Sequence, residues 1–412
     1  MIWLRWLAGG VGTLLVASSA CSSDPEVTKS DGTGGKAGDA GFDAASCTLG
    51  QFVCDGDTAK PCLGSGKFGD PVDCQADGKT CAAPFGCVVC VPTEQSCAAG
   101  VGKYCKNDGS AWETFECDAA QGMKCDPKGC TGACTPPSLS HSYLGCDYFP
   151  TVTLNPVWSG FDFAVAVANA GKGTANVVVT RGTTEVKKTT VAAGKLEVIA
   201  LPWVPELKGG DVDACQLPPN PGDTRVVKGG AYRVRTDQPV TVYQFSPLKY
   251  EIKPVPNECP IGSKCPGGFG SDCLAFSNDA TLLLPATTLT GSYTTVAWPS
   301  APDRAGFVAV TATRDGTEVQ LLGKGEFAAG AGIDGAGNGK VTLNRGDVLE
   351  VIAKHDGPAG QYGADISGTR LKASQPIGFV DTDCLREIGR VFEANELLDH
   401  YTAMQKLTSK TF

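Results

Sequence analysis

Thirteen cysteines fall within the 88 residues from Cys47 to Cys134. Cys54, Cys62, Cys74, Cys81, Cys87 and Cys90 recur, 43 or 44 residues later, as Cys97, Cys105, Cys117, Cys125, Cys130 and Cys134. Six positions that keep one offset read as a tandem duplication, with repeats at 54–90 and 97–134. Each repeat has about forty residues, too few to hold a fold by core burial alone. Three disulfides per repeat, at about 2–4 kcal/mol each, would supply the missing stability. Fifteen pairings per repeat are open on spacing alone. The competing reading of Cys87-x2-Cys90 is a zinc knuckle, but the first 140 residues contain no histidine. No metal is expected. Cys47 lies outside both sets and points to Cys146, or another cysteine of the next domain, as its partner.

Disulfides need an oxidising compartment, and the amino terminus supplies the export signal. Trp6 to Ala17 is a short apolar run behind Arg5. A membrane span needs about twenty residues, so this run reads as a signal-peptide core and residues 1–20 as the signal. Ser18-Ser19-Ala20-Cys21 fits a lipoprotein site, with Cys21 as the lipidated residue. Ser18 stands where Leu is commonest, and plain cleavage after Ala20 is the alternative. Ser22 after the cysteine favours the outer membrane or cell surface, with secretion as the alternative. Residues 21–46 then form the anchor and a Gly-rich tether that cannot bury enough surface to order itself.

The whole chain carries a net charge of -9, which argues against a nucleic-acid partner, since such binding rests on Lys and Arg. Its 53 Gly and 26 Pro among 412 residues favour turn-rich β structure. From Cys146 onward, short apolar runs with a period of two alternate with turn residues such as Asp315-Gly316 and Asn338-Gly339. Three motifs recur in order. Phe163–Ala168 corresponds to Phe307–Ala312, and Leu196–Ala200 is identical to Leu349–Ala353. Gln238-Pro239-Val240 corresponds to Gln375-Pro376-Ile377. The expected fold is all-β: a β-sandwich unit over 146–250, a Cys- and Pro-rich insertion over 251–274, and a second, related sandwich over 275–412.

Gly145-Cys146-Asp147-Tyr148-Phe149, ahead of the Phe163 strand, resembles the N-terminal domain family of IgGFc-binding protein. So do the runs 238–245, 279–285 and 368–376. The resemblance spans about 146–400 and implies a secreted or lipid-anchored β protein with no catalytic residue. Immunoglobulin binding is not carried over with it. The family pattern places a Cys before an Asp-His pair near the end. Here Leu398 precedes Asp399-His400, which points to an altered or truncated second unit.

The sequence offers little for catalysis. It has three histidines, His141, His355 and His400, and lacks a Gly-x-Ser-x-Gly elbow. Gly337-Asn338-Gly339-Lys340 reads as a hairpin loop rather than a phosphate loop. Asp334 with Asn338 is too sparse for calcium, and Asp381 with Asp383 reads as a strand end. Trp158, Trp203 and Trp298 are candidates for a sugar-stacking platform, with core packing as the plainer role. The insertions 203–223 and 251–273 are the better recognition candidates. Cys259, Cys265 and Cys273 would staple the second insertion, with Cys215 as a fourth. No cofactor is expected. The leading expectation is a non-enzymatic, surface-displayed adhesion or binding lipoprotein that takes an extracellular protein or glycan. The membrane would be engaged through the lipid alone. The alternatives are a carbohydrate-binding accessory protein and a secreted hydrolase or inhibitor.

Overall fold

A computed structural model describes residues 47–139, 142–211, 221–260, 272–275, 278–297, 299–300, 305–355 and 363–381. The signal segment, Cys21, the tether and the residues after Asp381 lie outside it. The described chain is nearly all strand and turn. None of its helices is long and apolar enough to cross a membrane.

The bridges correct the phase read from spacing. Cys47–Cys62, Cys54–Cys81 and Cys74–Cys87 close a first repeat. Cys90–Cys105, Cys97–Cys125 and Cys117–Cys130 close a second with the same connectivity. Cys47 is therefore the first cysteine of its set, and Cys90 opens the second set instead of ending the first. Cys134 bridges to Cys146, which ties the repeats to the β domain. The expected frames, 54–90 and 97–134, are each one cysteine late. Cys47 precedes Cys54 by the same distance as Cys90 precedes Cys97, so spacing alone fits either phase. Each repeat also holds a 3-10 turn, Cys74–Asp77 or Ala119–Gln121, capped by Asp73 or Asp118 and ended by a left-handed glycine. With Cys259 and Cys273 bridged as well, this density of disulfides belongs to an oxidising compartment.

The first β unit contains β1 (Gly145–Tyr148), β2 (Phe163–Asn169), β3 (Ala175–Arg181), β4 (Thr184–Val191) and β5 (Lys195–Leu201). Two strands complete it: β7 (Tyr232–Ser246), which follows β6 (Arg225–Val227), and β8 (Asp279–Leu282). β7 belongs to both layers. Its first half pairs with β3 and with Asp147 and Tyr148 of β1, and its second half with β2 and β8, while Gly145 of β1 reaches Val240 just past the change. The change of layer falls at Asp237-Gln238-Pro239, where proline cannot donate to a ladder. The layers are thus β4-β3-β7-β1 and β5-β2-β7-β8. Val165, Val167, Val177, Val179, Ile199 and Val242 fill the space between them.

The second unit contains β9 (Ser292–Thr294), β10 (Phe307–Ala312), β11 (Thr317–Leu322) and β12 (Gly339–Leu343). It also contains β13 (Val348–Ile352), β14 (Arg370–Ala373) and β15 (Ile377–Asp381). Its layers are β12-β11-β14-β9 and β6-β13-β10-β15. The shared pairing order matches the first unit, except that the single strand β7 is here two strands, β14 and β15, that β6 adds an edge beyond β13, and that β15 has no strand in the place of β8 among the described residues. Tyr148 Oη donates to Val240 O at 2.5 Å, and Tyr293 Oη donates to Ile377 O at 3.0 Å. Val240 and Ile377 are the residues that follow the two Gln-Pro pairs.

The repeated pentapeptide is placed differently in the two units. In β5, Ile199 and Leu201 face the core while Leu196 and Val198 are exposed. In β13, Leu349 and Val351 face the core. The opposite face of β13 is also buried: Val348 joins the first unit's core, and Ile352 packs with Leu154. An apolar run buried on both sides accepts either phase. The identity of these five residues therefore marks the strand but not the register.

The boundary expected at 275 is also moved. β6 comes from the first half of the chain, yet it pairs with β13 of the second unit. β8 comes from the second half, yet it pairs with β7 of the first. Each unit lends the other a strand.

Candidate binding surface

The two insertions meet at one end of the first unit. Glu251–Ile252 pairs with Cys273–Leu274, and the Cys259–Cys273 bridge closes the loop between them. Val157, Phe161, Cys259, Cys273 and Ala275 form a small core beneath this end. Cys215 and Cys265 lie outside the described residues. Trp203 donates Nε1–H to Phe161 O at 2.6 Å and packs on Phe163 at 5.6 Å. Trp158 is half-buried, edge-on to Phe161 at 6.2 Å. Both half-buried rings thus act in packing, and the N–H of Trp203 is satisfied. Neither forms an exposed row, and Trp298 lies outside the described residues.

The same end holds a buried cation. Lys208 Nζ contacts Asp211 Oδ1 at 2.5 Å and lies 5.4 Å from the Trp203 ring centre. Ser159 donates to both Asp211 oxygens, from its amide at 2.9 Å and its hydroxyl at 2.6 Å. Burial lowers the Lys208 pKa, with Asp211 opposing it. Burial would raise Asp211, but the bonds from Lys208 and Ser159 outweigh it and hold the carboxylate low. This pair fastens the loop 155–161 to the short helical turn Pro205–Lys208, which is a structural task.

A second ionic cluster joins the cysteine repeats to β7. Arg233 forks onto Asp147 at 2.8 and 2.7 Å. Arg235 reaches Asp118, the cap of the 3-10 turn Ala119–Gln121, at 3.0 Å. Burial opposes the charge on Asp118, but Arg235 and the Ala120 amide prevail and lower its pKa. Burial likewise opposes charge on Arg233, and Asp147 overcomes it. Arg345 of the second unit reaches Glu116 at 3.1 Å. The second repeat is therefore seated against both β units.

The third cluster lies on the seam made by β6. Glu350 is fully buried, with Arg225 Nη2 at 2.5 Å from its Oε2. Burial raises its pKa to about 7, with Arg225 as the main opposing influence. Spacing gave no hint of this carboxyl. The only available signal was one charged residue in the apolar run Val348–Ile352.

The remaining sequence candidates are accounted for locally. Asp334 Oδ1 accepts from the Ala336 and Asn338 amides, and Asn338 Oδ1 accepts from the Gly323 amide. A Cβ on Gly337 would meet the Phe327 ring at 2.2 Å. The loop is built around that ring and its carboxylate is already used. Cys97, Cys117 and Cys130 lie close enough together to suggest a metal. All three are bridged, so they offer no thiolate. His355 is half-buried, and Asp381 ends β15 opposite Val308. His141, Asp383 and His400 lie outside the described residues.

What remains after these structural roles is surface: loop ends, sheet faces and strand edges on two interlocked sandwiches. Residues 279–393 match the family model of the IgGFc binding protein. No curated protein matches the chain, and no solved structure does. The matched segment begins at β8, which lies in the first unit's sheet, and continues into the second unit. The motifs at 145–149, 163–168 and 238–245 lie before it.

Proposed function

We propose that this chain is a non-enzymatic binding protein, displayed at the cell surface, that recognises an extracellular protein through its β units. The observation that carries this reading is the IgGFc-binding segment at 279–393, seated in a scaffold held by disulfides and a shared core. The disulfides agree with an extracellular setting. In this reading Cys21 carries a lipid, residues 22–46 act as the tether, and the paired cysteine repeats act as a spacer. The two cysteine repeats and the two β units are each products of duplication. The tight use of Asp211, Asp118 and Glu350 in structural contacts leaves recognition to exposed loops and edges.

The test uses the mature full-length chain on a panel of immobilised secreted and cell-surface proteins, with immunoglobulin Fc as one member. Saturable binding that leaves the captured protein intact is the expected result. Cleavage of panel members, or binding confined to polysaccharide controls, would sink the reading. The intact mass of the exported chain tests the anchor: an acylated Cys21 supports display, and an unmodified Cys21 argues for secretion.

A further inference from the structure

In the second unit, the outer edge of β13 is covered by β6. In the first unit the corresponding strand is β5, and among the described residues its ladder runs to β2 alone. β5 is seven residues long, and its register with β2 is unbroken from Lys195 to Leu201. The adjoining edge strand β4 is interrupted by a bulge opposite Val179 and Thr180 and carries Lys187 and Lys188. β6, β8 and β9 are short. β5 is thus the longest regular edge among the described residues, and such an edge is a template for an added strand.

The face beside that edge is apolar. Leu196 is 54% and Val198 is 44% exposed. Val198 sits opposite Ala166, and Ala166 opposite Tyr243, which is 38% exposed. A strand laid along β5 would place alternate side chains against this strip.

Charge selects the occupant. Between residues 170 and 200, five cations face two carboxylates, in a chain of net charge -9. Lys172, Lys187, Lys188 and Lys195 are exposed, and none has an ion-pair partner among the described residues. Asn169 gathers two of them at one end of β5. Its Nδ2 donates to Gly173 O and Val191 O, and its carbonyl accepts from the Gly194 amide. A second copy pairing through the same edge would bring two such sets of lysines together. Lysine on an edge is a known barrier to self-pairing.

We infer that the outer edge of β5 is a docking edge for an extended segment of a partner protein, with apolar residues at alternate positions and acidic residues between them. Main-chain bonds would supply the pairing, the Leu196–Val198–Tyr243 strip the apolar contact, and the four lysines the preference for acid. This deepens the binding reading above and rests on it. It places recognition outside the IgGFc-binding segment.

The experiment uses the full-length chain and fluorescein-labelled heptapeptides. One alternates Val with Glu and Asp, one replaces the acids by Lys, and one carries a central Pro. The acidic peptide should bind, weaken as salt rises, and protect the 196–201 amides from hydrogen exchange. The Lys and Pro peptides should fail to bind. The L196S/V198S variant should lose about tenfold in affinity, and K187E/K188E should lose the acid preference. Exchange elsewhere in the chain should be unchanged in both variants, which establishes that they fold. The inference is overturned by protection at another edge, by equal binding of the Lys peptide, by no peptide binding, or by a dimer that protects these amides. If the protein panel still binds L196S/V198S undiminished, the docking edge is refuted and the binding reading stands. If the unaltered chain binds no panel member, the reading itself fails.

Discussion

Replacing Glu350 by Gln removes the charge from the deepest carboxyl in the seam while keeping its shape. Glu350 has no exposed surface, and its pKa rises from the ordinary 4.5 to about 7 because burial outweighs Arg225. The folded state therefore binds more protons than the unfolded state between those two values. Stability contributed by this residue must fall as pH rises through that window and level off above it. A tenfold change in proton affinity is worth about 1.4 kcal/mol, so between about pH 5 and pH 8 the loss is about 2 to 3 kcal/mol. The glutamine variant has no such loss, and Arg225, with 24% of its side chain exposed, stays hydrated. Urea unfolding of both proteins, disulfides intact, at several pH values gives the answer. The other titrating groups cancel in the difference between the two. E350Q should gain about 2 to 3 kcal/mol on the parent chain from about pH 5 to pH 8. A difference independent of pH would refute the argument. A parent chain that pulls ahead of E350Q as pH rises would mean that Arg225 holds the carboxylate charged.

Asp118 has the opposite sign: its lowered pKa contributes stability above about 3.8 that is lost as pH falls through it. D118N should loosen the contact between the second repeat and β7 by about 2 kcal/mol, read as faster proteolysis near residues 131–139 at neutral pH. The parent chain should approach that rate in acid. Y293F removes a half-buried hydroxyl that donates to Ile377 O and accepts from the Thr290 amide, and should cost about 1 kcal/mol. Y148F should cost more, since Tyr148 is fully buried against the buried Val240 whereas Tyr293 is partly exposed, and thermal unfolding ranks the two. C90S/C105S opens a bridge of sequence separation 15 and should cost the second repeat about 3 kcal/mol. Exchange in β2 and β10 should not change.

The β class was legible because strands buried on one face alternate visibly, as in Thr317–Leu322. The disulfide phase was not, because Cys47 and Cys90 begin intervals of equal length. The strand exchange was hidden for another reason. Arg225–Val227 and Asp279–Leu282 are short runs whose partners lie far along the chain, and nothing local says which sheet they join. Trp158 and Trp203 read as possible ligand contacts because an isolated tryptophan carries the same signal whether it faces solvent or packs beneath a loop. Glu350 gives no warning in the sequence because a single carboxylate in a strand ordinarily faces water. Its burial depends on β6 crossing from the other unit.

The loan of strands also sets an order of events during synthesis. When the chain has emerged as far as Pro260, the first sandwich has β1 through β5 and β7, but the edge of β7 that β8 will cover is bare. Arg225–Val227 is by then complete and has no sheet to join, since β13 is still about ninety residues away. The first unit can close only once Leu282 has arrived, and β6 can settle only after Ile352. For that interval two unpaired backbone edges are held on one nascent chain, each waiting for residues not yet made. A translational pause within 230–280 would lengthen their exposure, and one after 352 would not.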